Sequence, residues 1–113
     1  MALQHPLPEP VVELIARRFR VLGEPARIKL LEHLREGHAT VTELVAVTGT
    51  TQQNVSKHLG VLLQAGIVAR RKEGTASYYS IADESVFRLC EDICGTLERQ
   101  LEQLGELLAE SRN

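Results

Sequence analysis

A chain of 113 residues with 43% hydrophobic side chains suffices for one domain with its own core and leaves little room for a second site-bearing module. No apolar run reaches the length of a bilayer span, and Met1-Ala2-Leu3-Gln4-His5-Pro6 lacks a secretory signal pattern, so a cytoplasmic protein is expected. The two cysteines make no disulfide framework, and no Gly-rich phosphate loop, nucleophile-base motif or metal-hydrolase signature supports an enzyme.

Residues 1–8, with Pro6 and Pro8, read as a flexible arm, and residues 9–113 as a single domain. The first helix is expected to begin near Glu9-Pro10, where proline fits a first turn, with Val12, Ile15, Phe19 and Leu22 as its apolar stripe. Arg17, Arg18 and Arg20 fan in different directions on such a helix and read as a solvated face. The break at Gly23-Glu24-Pro25 opens a second helix whose Ile28, Leu31 and Leu34 are expected to point inward.

Residues 41–48 read as a short third helix ended by Gly49. A fourth helix comes next, with Thr51 placed to cap it and Val55, Leu59, Leu62 and Leu63 spaced to pack inward. Gln52, Gln53, Ser56 and Lys57 lie on its other side. Glutamine can pair bidentately with adenine, serine adapts to either partner, and lysine takes guanine or phosphate. A polar helix face alone is ordinary; joined to a basic hairpin it means more. Ile67 and Val68 start a strand, Gly74 supplies a tight tip, and Tyr78, Tyr79 and Ile81 are strand formers. Arg70, Arg71 and Lys72 place three cations beside the fourth helix, enough to hold phosphates. Such charge also protects an edge strand, and the two roles are compatible.

Helix, tight turn, polar-fronted helix and basic hairpin are, in that order, the parts of a winged helix-turn-helix. The expected fold is mainly α with a small β-hairpin: four helices, a two-stranded hairpin and a long fifth helix, dimerising through its terminal helices. That fifth helix should run over 83–111. Val86, Cys90, Ile93, Leu97, Leu101, Leu104 and Leu108 hold one stripe, with Glu98, Glu102, Glu106 and Glu110 opposite. Leucines that outreach a small domain need another surface, and a second copy of the helix is the simplest one.

The net charge of −2 hides a division. Residues 51–82 carry Lys57, Arg70, Arg71 and Lys72 against Glu73, whereas residues 83–113 carry three arginines against eight acids. Positive charge sits where the DNA-reading elements are expected.

At specific residues the chain resembles the arsenic-repressor (ArsR/SmtB) family. Leu22-Gly23-Glu24-Pro25-Ala26-Arg27-Ile28-Lys29-Leu30-Leu31 is similar to its Leu-Gly-Asp-Pro-Thr-Arg opening, and Gln52-Gln53-Asn54-Val55-Ser56-Lys57-His58-Leu59 to its recognition helix. Gln64-Ala65-Gly66-Ile67-Val68 and the stretch from Gly74 to Tyr79 resemble its turn and wing. The resemblance implies a small dimeric transcriptional repressor of double-stranded DNA whose effector alters operator affinity. It adds His58 to the DNA-binding set, and it marks Thr75 as a tip position that is often basic in the family. The expected DNA-binding residues are therefore Thr51, Gln52, Gln53, Ser56, Lys57, His58, Arg70, Arg71, Lys72 and Thr75. A repressor acting on an inverted repeat agrees with the twofold pairing of reading helices. A winged-helix module whose basic hairpin binds an acidic protein is the alternative.

Neither familiar metal site of the family carries over. Thr40-Val41-Thr42-Glu43 stands where one has Cys-Val-Cys-Asp, and His5, His33, His38 and His58 all precede the last helix, where the other has paired histidines. Cys90 and Cys94 remain. At i,i+4 they share a helix face, either as buried packing residues or as a thiol sensor for a soft metal, a metalloid or an oxidant.

Overall fold

A computed structural model describes residues 5–112. The first four residues of the expected arm lie outside them. The elements in chain order are α1 (Glu9–Leu22), α2 (Pro25–Leu34), β1 (Ala39–Thr40), α3 (Val41–Thr48), α4 (Gln52–Gln64), β2 (Val68–Glu73), β3 (Ala76–Ile81) and α5 (Ser85–Ser111). The chain divides into two compact units, one ending at Ala82 and the other beginning at Asp83, so α5 forms the second unit.

Local chemistry sets most boundaries. Proline occupies the first turn of both α1 and α2, where a missing N–H costs nothing. The Thr40 hydroxyl accepts from the Glu43 amide at 3.2 Å and caps α3, and the Thr51 hydroxyl accepts from the Asn54 amide at 3.1 Å and caps α4. Between these helices Gly49 turns the chain at φ 70°, a left-handed conformation that glycine adopts without steric cost.

The strands form one antiparallel sheet in the order β1-β3-β2. The expected hairpin is β2–β3, and β1 adds a third strand beside β3. Ala39 and Thr40 pair with Tyr79 and Tyr78, and two residues are too few to show the period of a strand. The hairpin register pairs Val68 with Ile81, Arg70 with Tyr79 and Lys72 with Ser77.

The core of the first unit gathers around α4, which packs on α2, α3 and β2. Leu59, Leu62 and Ile67 have no exposure, and Leu30, Leu31, Leu34, Leu44, Val55 and Val68 are buried with them. Leu63 is half-buried rather than inward. The core face of α2 also differs from the expected one. Leu30, Leu31 and Leu34 bury an arc of about 100°, and Ile28, roughly 110° from its centre, is 47% exposed. No residue of α1 is fully buried; Val12, Ile15 and Phe19 form a stripe that remains exposed.

The second unit is one 27-residue helix, about 40 Å long. It starts at Ser85 rather than at Asp83, whose carboxylate instead accepts from the Ser85 amide at 3.0 Å. Ile93, Leu97, Leu101, Leu104 and Leu108 are all exposed along it.

The packing around α4 yields a direct test. Leu59→Ala should destabilise the protein by about 2–5 kcal/mol, and Val47→Ala, at an exposed site of α3, by less than about 0.5 kcal/mol. Denaturant unfolding of the two variants measures both. Equal losses would contradict the placement of the core.

Candidate nucleic-acid interface

α4 carries three faces at once. Val55, Leu59 and Leu62 are buried. Gln52, Gln53, Ser56, Lys57 and Gly60 are exposed and span an arc of about 140° at 100° per residue. His58, Val61 and Ala65, half-buried, lie between these two faces. Four of the predicted side chains thus share one solvent-facing surface, and Gly60 leaves its middle without a side chain. Thr51, also exposed, uses its oxygen to cap the helix and retains a hydroxyl proton to donate. Asn54 is turned back to the Thr50 hydroxyl at 3.1 Å, which ties the helix start to the preceding turn.

His58 does not join the exposed surface. Its Nδ1 faces Arg27 Nη1 at 3.4 Å, so the structure turns it toward α2. The helical period itself separates these directions, since adjacent side chains diverge by about 100°; it is the resemblance that groups His58 with Lys57.

The hairpin also divides what the sequence grouped. Side chains of paired residues share a sheet face, and faces alternate along a strand. Arg70, directly opposite Tyr79, and Lys72, nearer the tip, therefore share the face of Val68 and Tyr79, both buried. Arg71 lies on the opposite face, where its Nε meets Glu73 at 3.1 Å and its guanidinium lies 5.8 Å from the centre of the Tyr78 ring. His38 meets the same ring edge-on at 5.2 Å. Arg71 is thus held locally by an anion and an aromatic ring. Gly74, at φ 61°, turns the tip, and Thr75 is exposed there.

Cys90 and Cys94 are both exposed, outside any disulfide, and one turn apart on α5. Burial does not account for them within one chain. Among the described residues no three histidine, cysteine or acidic side chains converge as a metal site.

Sequence reasoning missed two arginines that act at a distance. Arg18 Nη1 donates to the Ala65 carbonyl at 2.5 Å, and Arg27 Nε donates to the Val21 carbonyl at 2.7 Å. For Arg18 this corrects the expected solvated face. Its partner lies 47 residues away, and no local pattern carries that information.

Residues 22–71 match the family described as a helix-turn-helix domain. The HTH-type transcriptional regulator Rv0081 of Mycobacterium tuberculosis is 44% identical over 82 residues, 72% of each chain, and its crystal structure superposes with a TM-score of 0.76 over 85% of this chain and 97% of that one. The arsenical resistance operon repressor of Bacillus subtilis is 32% identical over 80 residues, covering 69% of this chain and 76% of its own length. The homodimeric winged helix-turn-helix DNA-binding domain Mb0332 of Mycobacterium bovis, a possible ArsR-family transcriptional regulator, is 31% identical, with a TM-score of 0.74 over 89% of this chain and 94% of that one. The family match spans α2, α3, the turn at Gly49, α4 and the start of β2, and the chain belongs to the ArsR family of winged helix-turn-helix, DNA-binding transcriptional regulators.

Proposed function

We propose that the protein is a homodimeric repressor that sets α4 of each protomer into successive major grooves of an inverted-repeat operator. The observation that carries this reading is the exposed face of α4, on which Gln52, Gln53, Ser56 and Lys57 stand together while the opposite side is locked in the core. In the proposal Gln52, Gln53 and Ser56 read bases, and Lys57 and Thr51 take base or phosphate. Arg70 and Lys72 hold the backbone beside the reading helix, and Thr75 touches it at the tip. Arg71 contributes field more than contact, because Glu73 and Tyr78 already engage it. The exposed leucines of α5 supply the surface for a second copy, in keeping with the homodimeric Mb0332 domain. The winged unit and α5, within residues 9–113, act together as one regulatory domain, and occlusion of a promoter is the mode of repression.

One titration separates base reading from phosphate binding. Gln52→Ala or Ser56→Ala should weaken binding to a selected operator more than to unrelated DNA, by about 1–3 kcal/mol for removal of a base-specific hydrogen bond. Arg70→Ala with Lys72→Ala should weaken both DNAs alike and lower the log-log salt slope by about one for each phosphate left unneutralised, whereas Arg71→Ala should change the slope little. Gel-shift titrations at several salt concentrations measure all of these. Equal losses on both DNAs for the α4 variants, or an unchanged slope for the double variant, would contradict the assignment.

The proposed effector site is the pair Cys90 and Cys94. Two exposed thiols one turn apart become four where two α5 helices meet, a donor set suited to a soft metal or metalloid. The arsenical repressor among its relatives supports that chemistry. The pair lies on the proposed dimer helix, so ligation would change the packing that spaces the two reading heads. Titrating the reduced protein with arsenite or Hg2+ should release a bound operator, and the variant with both cysteines changed to Ser should hold it. Undiminished operator binding by the treated wild-type protein would show that the thiols are not the sensor.

A further inference from the structure

The half-buried face of α4 is held from outside by two arginines. His58 and Ala65 lie two turns apart, roughly 10 Å along the axis and about 20° apart around it. Arg18 of α1 donates to the Ala65 carbonyl at the C-terminal end of α4. Arg27 of α2 donates to His58 Nδ1 in the middle of the helix at 3.4 Å and, through Nε, to the Val21 carbonyl in the last turn of α1 at 2.7 Å. Arginine only donates, so in this contact Nδ1 is the accepting atom.

A helix held at one point can pivot about it. With Val55, Leu59 and Leu62 already buried, two ties on one further face, two turns apart, add restraint on its tilt and on its rotation about its own axis. The Ala65 tie reaches further still. The Gly66 amide bonds the Leu63 carbonyl, Gly66 turns at φ 76°, and Ile67 leads directly into Val68 of β2. The place of Ala65 therefore also sets where the hairpin starts. Charge-assisted bonds that are partly buried suit this task, being stronger than neutral ones.

We infer that Arg18, Arg27 and His58 are positioning residues for operator recognition: they touch no DNA, and they set the angle at which α4 presents Gln52, Gln53 and Ser56. This rests on the reading that α4 enters an operator. Base recognition demands closer registry than phosphate binding, because a bidentate pair needs both hydrogen bonds aligned. Removal of either tie should therefore degrade sequence discrimination while leaving the electrostatic grip intact.

The test uses the full chain and two duplexes of equal length, one selected by the wild-type protein from a randomised pool and one unrelated. Arg18→Ala, Arg27→Ala and His58→Leu should each lower affinity for the selected duplex about tenfold, comparable to removal of a base-reading side chain. Affinity for the unrelated duplex should change less than about twofold, and the salt slope should stay constant because every phosphate-binding cation is retained. His58→Asn should stay close to wild type, since its amide oxygen can accept where Nδ1 did. Thermal unfolding fixes a temperature at which every variant is folded. Arg18→Met, which keeps the aliphatic stem but no donor, replaces Arg18→Ala if the latter does not fold. Variants that keep the wild-type ratio of affinities would overturn the positioning role. So would a His58→Asn variant that fails like His58→Leu with a salt slope reduced by about one, which would make His58 a phosphate ligand. A wild-type protein that does not discriminate between the duplexes would overturn the operator reading itself, and this inference with it.

Discussion

Leu59 and Leu62 are wholly withdrawn from water, and the position of α4 is set by where α2, α3 and β2 hold those two side chains. Burying each contributes roughly 1.5–3 kcal/mol, more than a typical neutral hydrogen bond on the helix surface. Once that face is committed to the core, the helix geometry leaves Gln52, Gln53, Ser56 and Lys57 on the solvent side. The caps do the remaining local work. Thr51 satisfies an otherwise unpaired amide at the start of the helix, and the Gly49 turn carries the chain from α3 to α4 without strain. The exposed polar face of α4, the surface proposed to read DNA, thus arises as the by-product of a packing solution.

Electrostatics act on a different scale from packing. The protein carries a net charge of −2, yet Lys57, Arg70, Arg71 and Lys72 stand on α4 and the hairpin, and the acids collect toward α5. At physiological salt the screening length is about 8 Å, so a DNA backbone responds to the charges nearest it and hardly to the sum. The hairpin uses its cations unequally. Arg71 is engaged by Glu73 and Tyr78, and strand alternation directs Arg70 and Lys72 to the other face. That division gives the wing two unlike faces.

Much of the fold and of the reading face is legible in the sequence because their determinants are local. Thr51 as a cap, Gly49 and Gly74 as left-handed turns, and the Val55-Leu59-Leu62 stripe all come from side-chain chemistry and period. The features that escape it depend on distance or on fine angles. The strand at Ala39 and Thr40 is stabilised by pairing with β3, some 40 residues on, and has no period of its own. Leu30 rather than Ile28 completes the core face of α2 because the helix is rotated by its neighbours, and the apolar pattern admits both. Arg18 and His58 have partners 47 and 31 residues away. The separation of Arg71 from Arg70 and Lys72, in contrast, is available from strand alternation alone.

The central claim is that two copies of α4 enter successive major grooves of one duplex. Footprinting by hydroxyl radicals, combined with interference by methylation of guanine N7, tests it most directly on a duplex selected from a randomised pool. The predicted result is two symmetric protected patches on one face of the duplex, with centres about 10 base pairs apart, and loss of binding when N7 is methylated within either patch. Protection without twofold symmetry, indifferent to methylation in the major groove, would contradict it.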